Sequence, residues 1–154
     1  MGWTLRVQFP FLCLFLLFSH TPAFGSQGVI TIESSHNVPV TADRLESILK
    51  EKGMTVFSRI DHAAGAAGIG ETLRPTILLI FGNPKIGTDL MKCGHAAGID
   101  LPLKALIRED ETGRVNLTYN DPRFIADRHG ITRCGEVVEN MSNALKGIAE
   151  QASK

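Results

Sequence analysis

The sequence predicts an α+β fold, a two-layer sandwich in which helices pack on a mainly antiparallel sheet. Several short segments alternate apolar with polar residues, as β-strands do, whereas other segments carry apolar residues three or four positions apart, as helices do. Two alternating segments are joined by a turn-forming cluster at residues 110–113, which indicates an antiparallel hairpin. The predicted order is β-α-β-β-α-β-β-α-α, and the alternative is a ferredoxin-like split βαβ with an added strand.

Five segments are predicted to be strands because of their alternation and their β-branched residues. They are Gly28–Ser34, Met54–Ile60, Pro75–Phe81, Leu103–Glu109 and Val115–Tyr119. The third, PTILLIF, is continuously apolar, which indicates a strand buried on both faces. Residues 61–74 are rich in Gly and Ala and are predicted to form a loop with room for one short helical turn.

Four helices are predicted from capping residues and apolar spacing. Thr41 is expected to cap the first helix, which stops at Gly53. Asn83 and Asp121 each stand before a proline, which favours a helix start at both positions. The last helix has the clearest pattern, an apolar stripe with spacings of three and four. The stripe consists of Val138, Met141, Leu145, Ile148 and Ala152.

The first 25 residues are predicted to be a cleavable secretory signal. Arg6 gives a positive start, residues 7–18 form an apolar run, and Ala23 and Gly25 are small residues before the cleavage point. The alternative is an uncleaved membrane anchor, but a bilayer span needs about 20 apolar residues and this run is shorter. We therefore expect residues 26–154 to form one exported domain, either periplasmic or secreted.

The charge balance argues against several classes of partner. The chain has 16 basic and 16 acidic residues, and loss of Arg6 with the signal leaves 15 against 16. Since no basic stripe and no aromatic array is present, we expect no nucleic-acid partner. Residues 26–154 contain no second apolar stretch long enough for a membrane span. An unknown small ligand or another envelope protein is the expected partner, and no oligomeric state is predicted.

Two cysteines, Cys93 and Cys134, follow the signal segment. An even number in an oxidising compartment favours a disulfide. Closing the loop between the two cysteines would stabilise the fold by about 4 kcal/mol. The alternatives are two free thiols, or a soft-metal site that also uses Met91, His95 and His129. The cysteine and histidine spacing is not a standard zinc pattern, so we predict no metal and no cofactor.

Polar residues at the ends of predicted strands form a candidate ligand-binding site. Asp61 and His62 follow the second strand, and Asn83 follows the third. Tyr119 ends the fifth strand, and His129 is ten residues further along the chain. If these strand ends meet, their side chains share one rim and line a cleft. The alternative is that each is a local cap or surface group, and for Asn83 capping is favoured. No nucleophile motif accompanies His62, so no catalytic residue is predicted.

Four ordered segments resemble those of a known family. They are SRIDHAAGA from Ser58, IFGNPKIGTDLM from Ile80, GIDLPLKALIRED from Gly98 and YNDPRFIADRHGI from Tyr119. In this order they resemble the bacterial family called domain of unknown function 302, from about Ile30 to Ala149. The resemblance implies a small α+β fold with helices on a curved antiparallel sheet, and it implies no activity.

The segment Cys93-Gly94-His95 departs from the family pattern, so any metal or redox role there would be particular to this chain. The sequence favours a non-catalytic ligand-binding or interaction module of the bacterial envelope. Two alternatives stay open. One is a redox or metal-binding accessory protein using Cys93, His95, His129 and Cys134, and the other is an enzyme using His62.

Overall fold

The computed structural model describes Met1 and residues 28–154. The predicted signal, residues 1–25, therefore lies outside the described residues except for Met1. Within the described part, no helix combines the length and the apolar character that a membrane crossing requires.

The described chain contains five strands and five α-helices, with the last two strands consecutive and the last two helices at its C-terminal end. The strands are β1 (Val29–Ser34), β2 (Thr55–Asp61), β3 (Thr76–Gly82), β4 (Leu103–Glu109) and β5 (Val115–Asn120). The helices are α1 (Val38–Glu51), α2 (His62–Ala67), α3 (Pro84–Cys93), α4 (Pro122–Arg128) and α5 (Gly135–Ser153). A 3₁₀ turn at His95–Ile99 follows α3.

The five strands form one sheet in the order β1-β5-β4-β3-β2, and every neighbouring pair is antiparallel. The predicted α+β class is therefore confirmed. The β4–β5 hairpin forms where it was predicted, because the Asp110 carboxylate accepts hydrogen bonds from the backbone N–H groups of Thr112 and Arg114. Gly113 has a φ of 80°, which glycine adopts without strain. The edge strand β2 shifts its register between Val56 and Ser58.

The main core lies between one face of the sheet and helices α1 and α5. The interior strand β3 buries every second residue, Ile77, Leu79 and Phe81. Its other face is only half-buried, so the prediction of a strand buried on both faces is wrong. The reason is that the large helices cover one face, and a two-layer fold leaves the opposite face open. Leu78 and Ile80 lie on that open face.

The first helix begins four residues earlier than predicted. Asn37 is its cap, with the side-chain carbonyl accepting from the Val40 N–H at 3.0 Å. Thr41 instead lies inside α1, fully buried, where its hydroxyl is 2.7 Å from the Ser34 hydroxyl. Thr41 precedes the apolar stripe, as a cap would, but Asn37 precedes Val38 and Pro39, and a proline in the first turn favours a helix start there.

The structure contains two short helical segments in addition to the predicted elements. Residues 62–67, expected as loop with room for a turn, form α2, which Asp61 caps. The 3₁₀ turn at residues 95–99 was not predicted. Neither segment shows the apolar spacing on which helix prediction depends.

Candidate functional site

The strand register separates the predicted site residues between the two ends of the sheet. Asp61 pairs with Ile77 near the start of β3, whereas Asn83 directly follows the end of β3. Tyr119 pairs with Ala105, on the same half of the sheet as Asn83. The expected common rim is therefore not formed, since Asp61 and His62 are at the opposite end.

The polar groups at these two ends act as helix caps. The Asp61 carboxylate accepts a hydrogen bond from the Ala64 N–H at 2.9 Å, and His62 beside it is exposed. The Asn83 carbonyl accepts from the Lys85 N–H at 3.0 Å, while its amide donates to the Gly53 carbonyl at 3.3 Å. Asn83 thus connects the start of α3 to the turn after α1.

Tyr119 faces the core rather than a cleft. Its side chain lies on the helix-covered face of the sheet, and the residue is 4% exposed. Among the described residues its hydroxyl has no hydrogen-bond partner. Burial raises the pKa of this phenol, and the negative charge of Asp121 raises it further.

His129 belongs to a polar clamp at the end of α4. Its Nε2 atom lies 2.6 Å from the Asp100 carboxylate, whose other oxygen accepts from Arg128 at 3.0 Å. Asp100 follows the 3₁₀ turn, so the clamp joins that turn to α4. These contacts give His129 a structural partner on a neighbouring segment.

The structure joins Cys93 and Cys134 as a disulfide, with a Cα–Cα distance of 6.3 Å. Cys93 is the last residue of α3, and Cys134 directly precedes α5 with a left-handed φ of 70°. His95 is exposed on the 3₁₀ turn. Because the bridge uses both sulfurs, they are not free as metal ligands, and no three His, Cys, Asp or Glu side chains in residues 28–154 are grouped to hold a metal ion.

A cleft that the sequence did not reveal lies between α3, the first half of α5 and the adjoining strand ends. Its volume is about 660 Å³. The lining is mainly apolar and includes three methionines, one phenylalanine and several aliphatic side chains. These residues are Met54, Met91, Met141, Phe57, Ile86, Leu101, Leu103, Val137, Ala144 and Leu145. Of the predicted site residues, only Asn83 lines it.

Each wall of the cleft comes from a different element. On α3 only Leu90 is fully buried, so Ile86 and Met91 remain half-buried at the cleft. The 3₁₀ turn approaches Met91 through Gly98, where an added Cβ would lie 3.2 Å from the methionine sulfur. Phe57 stands at the shifted register of β2 and is 54% exposed.

The cleft has little charge. Among the described residues that line it, Asp89 is the single ionisable side chain, and its carboxylate lies 3.4 Å from the ammonium of Lys92. Thr88, Asn140 and Asn83 supply its neutral polar groups. The Asn83 amide is already engaged by the cap and by Gly53.

The cleft residues on α3 and α5 were visible in the sequence only as parts of ordinary helix stripes. The signal that could have separated them is that the apolar face of α5 extends beyond the core stripe, since Val137 and Ala144 flank Met141 on the side of the cleft. Such an extension gives a helix a wider apolar face than one sheet contact needs.

Comparisons with known proteins agree on the family. The model of the family described as "Domain of unknown function DUF302" matches residues 30–148. The crystal structure of an uncharacterized conserved protein DUF302 from Bacillus stearothermophilus superposes with a TM-score of 0.74. It is 18% identical, and the match covers 82% of this chain and 99% of that one. At this identity the likeness shows the fold alone.

Curated relatives match with higher identity but only in part. The fluoride-specific ion channel FluC 1 of Brucella suis is 47% identical over 110 residues, covering 71% of this chain and 43% of that protein. FluC 1 of Brucella abortus is also 47% identical, with 41% of its length covered. The chain thus spans about two-fifths of the length of these relatives, and the channel name belongs to them.

Proposed function

The chain belongs to the DUF302 family, and from that premise we propose that it is an exported, non-catalytic module that binds a small apolar molecule. The observation that supports this function is the open cleft between α3 and α5. Its volume of about 660 Å³ lies within the range of about 300–1,000 Å³ that is usual for small-molecule sites. Its mainly apolar lining with a few polar groups is also typical of such sites.

The composition of the cleft favours binding over catalysis. General acid–base chemistry needs a positioned proton donor or acceptor near the reacting atoms. Of the described lining residues, only Asp89 can ionise, and Lys92 is its ion-pair partner. His62, the residue of the enzyme alternative, is exposed at the opposite end of the sheet. The described cleft therefore offers a surface for binding without a catalytic pair.

The charge of the lining selects the class of ligand. A buried carboxylate or phosphate needs a cation or several hydrogen-bond donors to replace its hydration. The described lining contains no Lys, Arg or His, and the carboxylate of Asp89 would repel an anion. A neutral molecule with an extended apolar part and a single hydroxyl or amide group fits this site best.

Two features of the sequence support export. The N-terminal segment has the order of a secretory signal, and the two cysteines beyond it suit an oxidising compartment. The disulfide in the structure agrees with that compartment. Sequencing the N-terminus of chain recovered from the envelope fraction tests this part of the proposal. Ser26 as the first residue is expected, and a retained Met1 would contradict it.

A second candidate function is attachment to a membrane protein of the envelope. The Brucella relatives favour it. In these proteins, which are named fluoride-specific ion channels, a segment 47% identical to this chain forms part of a longer protein. On this proposal the domain assists such a channel. Deletion of the gene should then increase sensitivity of the host to fluoride, and unchanged growth over a fluoride series would remove this candidate.

Ligand binding is tested with a neutral fluorescent probe, N-phenyl-1-naphthylamine, and the full chain. Decanol should displace the probe, whereas decanoate of the same chain length should displace it at least about tenfold less well, because the cleft offers its carboxylate no cation. Equal displacement by both compounds would contradict the proposed ligand class.

Two tryptophan variants on α5 locate the binding. Ala144 lines the cleft, whereas the neighbouring Asn143 is exposed and does not line it. Ala144→Trp should fill the space and weaken probe binding at least about tenfold, whereas Asn143→Trp should bind the probe as the unchanged chain does. If the two variants bind the probe equally, the cleft is not the site.

A further inference from the structure

We propose that the Cys93–Cys134 disulfide is a thiol-exchange site through which an external dithiol opens the ligand cleft. This inference rests on the proposed function, because it concerns regulation of the same cleft. The bridge joins the last residue of α3 to the residue that precedes α5. Both helices contribute lining residues to the cleft.

The bridge lies directly behind the cleft wall. A small depression at the protein surface is lined by both cysteines together with Asp89, Lys92, Arg133 and Val137. Asp89 and Val137 also line the cleft. The two cavities therefore share residues of the same wall, and a movement of α3 relative to α5 changes both.

The surroundings of the bridge suit thiol exchange. Both cysteines are half-buried, so a reductant can approach them from the depression. Lys92 and Arg133 place two cations at this depression, and the Asp89 carboxylate, which pairs with Lys92, leaves a net charge of +1. Positive charge favours the thiolate form, which is both the attacking group and the leaving group in disulfide exchange.

Besides the bridge, the C-terminal end of α3 is held mainly by the buried Leu90 and by the contact of Gly94 with Ile131. Leu90 is the one fully buried residue of this helix, and the Asn83 cap that reaches Gly53 is at the opposite end. Beyond the bridge, Gly94 packs closely against Ile131. By contrast, α1 buries six residues along its length. Breaking the bridge should therefore release the end of α3 and leave the main core intact.

The chemistry has a preferred direction. The thiolate of a dithiol reductant attacks Cys93 Sγ, the S–S bond breaks, and its electron pair leaves with Cys134. Cys134 is the better leaving group because it stands at the N-terminus of the 19-residue helix α5, which stabilises negative charge, whereas Cys93 ends α3. The second thiol of the reductant then attacks the mixed disulfide. The reductant ends as a disulfide, and its two protons go to the two cysteines.

Hydrogen exchange of the full chain, oxidised and reduced with dithiothreitol, tests the release of α3 without any ligand. We expect reduction to lower the protection of amides in the second half of α3 at least about tenfold more than that of the paired amides of β3 and β4, whose protection falls only with the global stability. The double variant Cys93→Ser, Cys134→Ser should exchange at the rates of the reduced chain, and dithiothreitol should not change those rates. Unchanged exchange in α3, or an equal loss of protection in α3 and in the sheet, would overturn the proposal.

Binding of N-phenyl-1-naphthylamine to the same two samples links the release to the cleft. Reduction should weaken binding at least about tenfold, because the two apolar walls separate. Equal affinity of the oxidised and reduced chains for the probe would contradict the proposal that the disulfide controls the cleft. If neither state binds the probe but α3 is still released, the proposed ligand class is wrong and the opening of the cleft by reduction stands.

Single-cysteine variants test the direction of attack. In Cys93→Ser the remaining Cys134 thiol should have a pKa below the ordinary value of about 8.5, and lower than that of Cys93 in Cys134→Ser. Thiolate absorbance over a pH series measures both. The reverse order of the two pKa values would overturn the assignment of Cys134 as the leaving group.

Discussion

Helices α1 and α3 are both amphipathic, and both have an Asn cap and a proline in the first turn, yet they are held in different ways. Helix α1 buries six residues against the sheet and α5. Helix α3 buries Leu90 alone, and its end is joined to α5 by a disulfide. Extensive burial holds α1 without a covalent link. Helix α3 leaves apolar side chains at the cleft, and the disulfide supplies stability that its packing does not.

Because α3 buries fewer residues than α1, we predict that the stability of the packing around α3 depends on the disulfide. Reduction should lower the free energy of unfolding by about 3–4 kcal/mol, because the bridge closes a loop of 41 residues. Guanidinium unfolding of oxidised and reduced chain measures the change. A loss below about 1 kcal/mol would mean that α3 is held by its packing after all.

Matched truncations on the two sides should separate core from cleft. Leu49, on α1, is fully buried, so Leu49→Ala should cost about 3 kcal/mol. Met91 is half-buried at the cleft, so Met91→Ala should cost less than about 1.5 kcal/mol. Urea unfolding gives both values. Equal losses would show that Met91 is core and that the cleft wall is packed as tightly as the α1 layer.

The caps of the two helices sharpen the comparison further. Asn37→Ala should cost about 1 kcal/mol, since one side-chain hydrogen bond to the first turn is lost. Asn83→Ala should cost somewhat more, up to about 2 kcal/mol, because Asn83 also donates to Gly53. Thermal unfolding of both variants beside the unchanged chain is the measurement. If Asn83→Ala costs less than Asn37→Ala, the contact with Gly53 contributes nothing.

Tyr119→Phe should have the smallest effect, and it should be stabilising. The variant removes a buried hydroxyl that has no partner among the described residues, so the gain should reach about 1 kcal/mol. His62→Ala is the control, since this exposed side chain should change stability by less than about 0.5 kcal/mol. A clear loss in Tyr119→Phe would indicate that its hydroxyl has a hydrogen-bond partner.

Several elements were predictable because their signals are local. The alternation of β4 and β5, the turn at Asp110, and the caps at Asn83 and Asp121 each depend on residues within a few positions. The apolar stripe of α5 also lies within one helix. Thr41 shows the limit of such signals, since a nearby Asn and Pro set the helix start instead.

The candidate site was not predictable in the same way. Which strand ends meet depends on the order β1-β5-β4-β3-β2 and on the direction of each pair, and the antiparallel pairing of β2 with β3 separated His62 from Asn83. Which apolar residues face a cleft depends on contacts between segments far apart in the chain, as between Met91 and Gly98 on one wall and Val137 on the other. Periodicity and capping are set by neighbours along the backbone, so the sequence was sufficient for them. Strand order and the cleft arise only when distant segments pack together, because burial is decided between elements and not within them.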